Sequence, residues 1–481
     1  MPFDKRGGIS GHRFFRESII KLQRRARVRP DGVGSVGLLV RVVCVRARQC
    51  STMADETETY DLSREQELRI EVGHGQLVQV ILQDGTAEIF GTEIAKGASV
   101  KLPGGKHALF TWSGASVDVK GVYEECYVAS ETPMVEYVNI SSVLDERRNV
   151  AKSDSTKEMN GPRVALVGPT DVGKSTLCKL LCNYAVRKGW SPLFVDLDLG
   201  QNNIGPPSTI GAVQVDRALD ATDGFVNLTD LPLVYFHGDT SPGNNPDLYK
   251  HLVEKLSTMV DQRGNTNPDS RSSGLVLNTM GWVDGAGYKL LLHALDAFKI
   301  TDVLVVGQDK LHAGLARDFR GKTQFAAKTP VQVWQVKKSG GVVERSPQFR
   351  RQTREAVIKS YFYGADGELS PSSTSIEFGK VSIFKIGSGP RAPSSALPIG
   401  QKTSADPLRV TTVAPSMALL NSVLAVSHGK TTGEIPNTNV AGFIFVTEVD
   451  MVNKKLTYMS PTGGGLPSRN LITGTLKWIE T

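Results

Sequence analysis

Cysteine is scarce in this 481-residue chain: Cys44, Cys50, Cys126, Cys178 and Cys182 form no C-x-x-C pair and no metal-site spacing. That excludes a disulfide framework and a zinc module, and a reducing compartment is expected. Long apolar runs are missing too. The longest near the N-terminus, Val33–Val45, is broken by Arg41, so neither a membrane span nor a membrane partner is expected. Acids are nearly absent from residues 1–52, where twelve Lys and Arg face only Asp4, Glu17 and Asp31. This excess is larger than the +7 of the whole chain, so the remainder is slightly acidic. Nucleic acid would have to be met by a local patch rather than a general field. The basic leader reads as a transit peptide or as a disordered extension ahead of a natural-looking start at Met53-Ala-Asp-Glu; the second reading is preferred.

What is present begins with Gly168-Pro-Thr-Asp-Val-Gly-Lys-Ser-Thr176, which fits G-x-x-x-x-G-K-[ST] at every specified position. Gly168 and Gly173 let the main chain curl around phosphate oxygens, and Thr176 adds another hydroxyl nearby. Lys174 is placed for the β- and γ-phosphates and Ser175 as a hydroxyl ligand for Mg²⁺. The apolar run Arg163–Val167 predicts a strand before the loop. Leu177, Leu180, Leu181, Tyr184 and Ala185 predict a helix over 176–188, stopped by Gly189. Cys178 and Cys182, one turn apart on that helix, read as core.

Three textures divide the chain into a leader (1–52) and three blocks. Residues 53–145 show short alternating runs separated by Asp84-Gly85 and Pro103-Gly104-Gly105, the pattern of an N-terminal β-sandwich. The polar stretch 145–160, "DERRNVAKSDSTKEMN", reads as a linker. Residues 146–365 alternate strands with helices, predicting an α/β P-loop NTPase domain with a parallel sheet covered on both faces and ligands at the carboxyl ends of its strands. Residues 366–481, with Ser/Pro-rich linkers and short strands, read as a C-terminal β-rich domain.

A phosphate loop does not select a reaction. The N-K-x-D signature of GTPases is missing; Val306-Gly-Gln-Asp-Lys310 is the nearest local text. In Phe194-Val-Asp-Leu-Asp-Leu-Gly-Gln201, Asp196 and Asp198 close a strand and, two residues apart, are expected to share a face. Either carboxylate suits Mg²⁺ through water or a proton from an attacking hydroxyl.

"GPTDVGKST", "DLDLGQ", "PLVYFHGDTSPGNN", "NTMGWVDGAGY" and "KSGGVVERS", with "ETPMVEYVNI" and "EIFGTE" upstream, together resemble the Clp branch of the polynucleotide 5′-hydroxyl kinase family. That branch is the ATP-binding subunit of the pre-mRNA cleavage and polyadenylation machinery. The resemblance runs from about Leu62 to the C-terminus. It implies ATP and Mg²⁺ as cofactors, RNA with a 5′-hydroxyl as acceptor, a nuclear location and a cleavage-factor scaffold subunit as partner, with tRNA splicing endonuclease in some lineages. By the same resemblance Glu67 and Lys106 contact the adenine end, Asp171, Val172, Gly173, Lys174, Ser175 and Thr176 hold the phosphates, Asp198 rather than Asp196 acts at the hydroxyl and near Mg²⁺, and Trp282 stacks on the terminal base. For the catalytic lid, the matching segment Gln308–Arg317 offers Lys310 and Arg317. A lysine in the first place and Gly314 between them make slow turnover the expectation. A non-catalytic ATP-dependent scaffold and a metabolite kinase or synthetase are the competing readings.

Removal of residues 1–52 is expected to leave the melting temperature and ATP affinity of the remaining chain unchanged; calorimetry of the truncated protein checks this.

Overall fold

The computed structural model describes residues 57–156, 158–220, 228, 231–325, 328–365, 367–387 and 406–480. The basic leader lies outside these residues. The alternating text after Thr57 becomes seven antiparallel strands: β1 (Thr57–Leu62), β2 (Glu67–Gly85), β3 (Ala87–Ile89), β4 (Thr92–Ile94), β5 (Ser99–Phe110), β6 (Ala115–Gly121) and β7 (Glu125–Ala129). The nineteen-residue β2 organises them. Its first half pairs with β7, its second half with β6, and β5 follows it along both, with register shifts at Val72/Leu77 and Leu82/Asp84. Such irregularities bend a strand, which lets one strand serve two layers. Leu68, Ile70 and Val72, then Val78, Val80 and Leu82, alternate into the enclosed core.

The stretch read as a linker is largely helical. α1 (Met134–Ser153) runs through Asp145 to Ser153. Its charged text conceals a buried face, because Arg148 is buried with its Nη1 donating to Asp145 at 2.7 Å and its Nε donating to the Ser273 carbonyl at 3.0 Å. Charge normally marks a solvated face; here it is neutralised inside.

The central sheet has the order β11-β10-β9-β12-β8-β13-β16, built from β8 (Arg163–Val167), β9 (Leu193–Asp196), β10 (Thr209–Gln214), β11 (Leu233–Phe236), β12 (Leu275–Asn278), β13 (Asp302–Val306) and β16 (Gln332–Val336). A small hairpin, β14 (Thr323–Gln324) and β15 (Thr329–Pro330), precedes the last strand. The helices are α2 (Lys174–Arg187), α3 (Pro246–Thr266), α4 (Pro268–Ser273), α5 (Ala286–Ala297), α6 (Asp309–Asp318) and α7 (Pro347–Tyr363). Each strand pair from β9 to β16 is parallel, as expected, but β10 runs antiparallel to β9 and β11. No helix lies between β9 and β10, and without a crossover the chain returns antiparallel. Alternate β8 side chains serve opposite faces: Ala165 and Val167 join the core under α3 and α5, while Val164 and Leu166 join the core under α1 and α2.

The last seven strands are β17 (Ser372–Glu377), β18 (Ser382–Ile386), β19 (Val410–Thr412), β20 (Val423–Ser427), β21 (Val440–Asp450), β22 (Lys455–Ser460) and β23 (Asn470–Ile472), forming one mixed sheet. One face closes on the central domain. Ile358 and Phe362 of α7 and Val234 and Phe236 of β11 share a core with Phe443, Phe445 and Trp478. At the seam Thr475 N–H donates to the Gly238 carbonyl at 2.7 Å. A Cβ on Gly474 would lie 2.1 Å from that carbonyl oxygen, so the close approach demands glycine.

Phe362 is fully buried and stacks on Trp478 at 5.9 Å between ring centroids. Phe362→Ala is expected to destabilise the protein by about 3–5 kcal/mol, the usual range for removing a buried aromatic ring. A urea titration with an unchanged midpoint would contradict the shared core.

Candidate active site

The loop between β8 and α2 departs from ordinary backbone at three residues: Gly168 (φ 157), Asp171 (φ 55) and Gly173 (φ 90). A Cβ on Gly168 would lie 2.8 Å from the Val306 carbonyl oxygen, so the loop is pressed against the end of β13. Gly281, after β12, is pressed against it from the other side, its Cβ position 2.5 Å from the Thr170 nitrogen. Lys174 opens α2 and is buried. Its Nζ donates to the carbonyls of Gly168 at 2.9 Å and Pro169 at 2.7 Å. Burial lowers its pKa, an effect partly opposed by the Asp198 charge and then by Asp171 and Asp196.

The two carboxylates after β9 differ in kind. Asp196 is buried and accepts four hydrogen bonds: from the N–H of Asp198 (3.0 Å), from the N–H and Nδ2 of Asn203 (2.9 and 2.7 Å) and from Asn278 Nδ2 (3.0 Å). Burial and then the Asp198 charge push its pKa up to about 6. Asn278 Nδ2 also donates to Ser175 Oγ at 3.2 Å, joining β9, β12 and the phosphate loop. Asp198 lies beyond the strand, which ends at Asp196, so period-two alternation does not reach it. Its Oδ1 accepts from Gly200 N–H (2.9 Å) and Gln201 N–H (3.1 Å).

Two cavities meet at the loop. The larger, about 830 Å³, lies between the N-terminal sandwich and the loop and is lined by Glu67, Lys106, Asp171, Val172, Gly173, Ser175 and Thr176 among others. Arg69 and Thr132 donate to Glu67, and Lys106 pairs with Glu71. A smaller cavity of about 360 Å³ lies on the other side, where Lys174, Asp198, Thr240 and Trp282 face Arg345, Arg350 and Arg354. Trp282 is 39% exposed, which rules out a simple core role.

Arg345 belongs to the "KSGGVVERS" motif, which carries the resemblance but no assigned role, and Arg350 and Arg354 follow it on α7. Arg345 donates through its N–H (3.0 Å) and Nε (2.9 Å) to Asp171, and Arg350 Nη2 donates to the same carboxylate at 2.7 Å. Burial alone would raise the Asp171 pKa, but these donors outweigh it and hold the carboxyl below its usual range. Ser346 caps α7, accepting from Phe349 N–H at 3.1 Å, with Pro347 in the first turn; "ERSP" ahead of three closely spaced arginines was the available signal. Lys310 and Arg317, by contrast, project from the outer face of α6 while Leu311 and Leu315 face the core. Lys310 is exposed, Arg317 pairs with Asp318 at 3.1 Å, and neither lines the two cavities. In this structure the cations beside the phosphate loop are Arg345, Arg350 and Arg354, with Lys310 and Arg317 outside both cavities.

The site fits a triphosphate and a small hard cation. Asn278 Oδ1, Gln201 Oε1 and Arg350 Nε are buried without a hydrogen-bond partner among the described residues, all beside the loop. Among the described residues no cluster of three His, Cys, Asp or Glu side chains could hold a metal unaided. Ser175 and Asp198, both lining the smaller cavity, offer the hard oxygen donors that a cation such as Mg²⁺ takes beside phosphate and water. No helix of the described residues is long and apolar enough to cross a membrane.

Residues 168–364 match the family described as mRNA cleavage and polyadenylation factor CLP1 P-loop, residues 61–151 the N-terminal beta-sandwich domain of polyadenylation factor, and residues 369–480 the pre-mRNA cleavage complex II protein Clp1. The chain belongs to the Clp1 family. It is 46% identical over 425 residues to a protein CLP1 homolog of Arabidopsis thaliana, covering 87% of this chain and 94% of that one. To the Homo sapiens polyribonucleotide 5′-hydroxyl-kinase Clp1 it is 41% identical over 426 residues, covering 88% and 97%. A solved Clp1p chain from a wild-type Clp1p–Pcf11p complex superposes with a TM-score of 0.75 at 22% identity, covering 89% of this chain and 99% of that one. The P-loop domain between two β domains is thus the Clp1 architecture.

Asp196→Ala would orphan four donors, three of them in the loop that shapes the site. With each buried unpaired group costing roughly 1–3 kcal/mol, a loss of several kcal/mol is expected in a urea titration. Asp198→Asn retains an Oδ1 acceptor for the turn and is expected to change stability by less than about 0.5 kcal/mol. Equal destabilisation by the two would refute the distinction.

Proposed function

We propose that this protein transfers the γ-phosphoryl group of ATP to the 5′-hydroxyl of RNA. The observation that carries the reading is the meeting of two cavities at one phosphate loop, a nucleoside-sized space on one side and a tryptophan, a carboxylate and three arginines on the other. ATP lies in the larger cavity with its base toward Glu67 and Lys106 and its phosphates along Asp171–Thr176. Ser175 and Asp198 would hold Mg²⁺, which would supply charge neutralisation at the phosphates. The indole of Trp282 stacks on the terminal base, a sequence-tolerant contact because every base has a π-face. Asp198 accepts the proton of the 5′-hydroxyl as its oxygen bonds to the γ-phosphorus and the bond to the β,γ-bridging oxygen breaks, giving ADP and a 5′-phosphorylated RNA. Lys174, Arg345 and Arg350 stabilise the charge moving onto the leaving and equatorial oxygens. Arg354, held below the usual range by burial and, against Glu355, by the Arg351 and Arg350 charges, remains available for an acceptor phosphate.

The kinase named in the human relative and the Pcf11p complexes of the solved Clp1p structures support a place in nuclear mRNA 3′-end processing, with a scaffold subunit as partner. One of those structures addresses ATP loss in a point mutant of Clp1p, which supports ATP as the bound nucleotide. Association with tRNA splicing endonuclease belongs to the same reading.

Labelled ATP offered with 5′-hydroxyl RNA, DNA and small alcohols is expected to label RNA. Lys174→Ala should abolish transfer. Asp198→Asn should lower it at least 100-fold, the lower range for losing an acid–base group, with ATP affinity within about threefold. Trp282→Ala should raise the KM for RNA by roughly 5- to 150-fold, the equivalent of 1–3 kcal/mol. ATP bound without any labelled product would establish the scaffold reading instead, and labelled alcohols the metabolite-kinase reading.

A further inference from the structure

The strap that joins β16 to α7, residues 337–346, is seated on four points, one of which belongs to the N-terminal sandwich. At its start Tyr137 OH donates to the Lys337 carbonyl at 2.9 Å, and Lys337 N–H donates to Glu136 at 3.2 Å. At its end Arg345 is tied to Asp171. Between them Val342 lies over the phosphate loop, where a Cβ on Gly173 would be 3.1 Å from Val342 Cγ2. The fourth seat is Arg69 of β2. A Cβ on Gly340 would lie 3.1 Å from its Nη1, and one on Gly341 would lie 3.0 Å from its Cδ and Nε. Two successive glycines therefore lay bare backbone on the side chain of Arg69. No φ in the left-handed region demands glycine at either position; the demand is for space.

Arg69 is itself over-determined. It donates to Glu67, its Nη2 donates to the Glu131 carbonyl at 2.8 Å, and its guanidinium lies 5.9 Å from the centroid of the Tyr127 ring. The side chain is 10% exposed. One rigid group thus holds a carboxylate at the nucleoside end of the larger cavity and forms the floor of the strap that delivers Arg345 to the phosphate end. We infer that Arg69 is a positioning residue that sets the height of the strap, and through it the placement of Arg345, by packing against Gly340 and Gly341. The inference rests on the reading of the larger cavity as the ATP site and of Arg345 as a group at the transferring phosphate. It gives the N-terminal sandwich a part in the chemistry beyond holding the base.

The test compares the full chain with Gly340→Val, Arg69→Ala, the double variant and Arg69→Lys. Gly340 does not line the larger cavity, and its substitution leaves Glu67 and its partners in place. Gly340→Val is expected to speed amide exchange at Gly341–Arg345 at least tenfold and to lower kcat at least tenfold, with ATP affinity within threefold. Arg69→Ala should produce the same exchange and kcat changes and also weaken ATP, because Glu67 loses its partner. The double variant should be no worse than Arg69→Ala alone, since the valine then has room. Arg69→Lys keeps a charge for Glu67 without a planar floor, and should restore ATP affinity but not strap protection. Unchanged exchange in both single variants, or effects that multiply in the double, would overturn the inference. Absence of ATP binding by the unmodified chain would overturn the proposed function instead, and the exchange data would still decide the role of Arg69.

Discussion

The ion pairs of Asp171 hold the phosphate loop to the rest of the site. A non-glycine residue at positive φ is uncommon, and this one sits in the middle of the loop with both carboxylate oxygens taken by Arg345 and Arg350. Its side chain is almost without solvent while the arginines are about a third exposed. A carboxylate so enclosed needs its partners to remain charged. The loop therefore has its observed shape only while the strap and the start of α7 are docked, and these keep their place only while the loop presents Asp171. Since Val342 covers Gly173 in the same contact, loop and strap form one unit drawn from segments about 170 residues apart.

Saturation separates the two acids of "DLDLGQ". Asp196 has no capacity left: four donors occupy it, and burial already disfavours its charge. Accepting a further proton from an incoming hydroxyl would mean releasing a donor inside a closed network. Asp198 uses a single oxygen for its turn, and that turn places it in the smaller cavity with Lys174 and Trp282. Asp196 fixes the strand ends and the Asn278–Ser175 contact; Asp198 is the acid with room to act. The resemblance implies a role for Asp198, and the oxygen that its turn leaves over supports that role in the proposed transfer.

Much of this was legible in the sequence wherever a pattern is local. The strand, loop and helix around Gly168–Thr176 declare themselves by spacing, and the alternation of β2 and β5 by period. Less legible were the elements whose reason lies elsewhere in the fold. α1 was hidden because its buried face carries an Arg148–Asp145 pair instead of leucines. β10 reverses direction because no helix follows β9, and β16 is an edge strand whose Trp334 is half-exposed. The "ERSP" text announces a helix start near Arg345 and Arg350 but not their role, and Arg69 has no local signature, since these roles come from Asp171 and from Gly340-Gly341, far away in the chain. For the same reason a pair of cations on α6, Lys310 and Arg317, is visible in sequence, whereas the Asp171 carboxylate that gathers Arg345 and Arg350 is not.

α7 decides how the site can change shape. Its seventeen residues span about 25 Å at 1.5 Å per residue, with arginines at the start and Ile358 and Phe362 near the end. The far end lies in an aromatic cluster with Phe443, Phe445 and Trp478, and withdrawing a ring such as Phe362 would cost about 3–5 kcal/mol. At the near end an arginine that swings away keeps access to solvent, so its loss stays near the ~1 kcal/mol scale of partly exposed pairs while the other arginine remains on Asp171. The helix is therefore anchored by the C-terminal domain, and the adjustable parts are the guanidinium groups and the strap. On the proposed reading, rearrangement around a transferring phosphate consists of one arginine exchanging Asp171 for a phosphate oxygen while the other stays on Asp171 and α7 remains fixed. Any partner that shifted the C-terminal sheet on its seam would act on this site by moving the base from which those arginines reach.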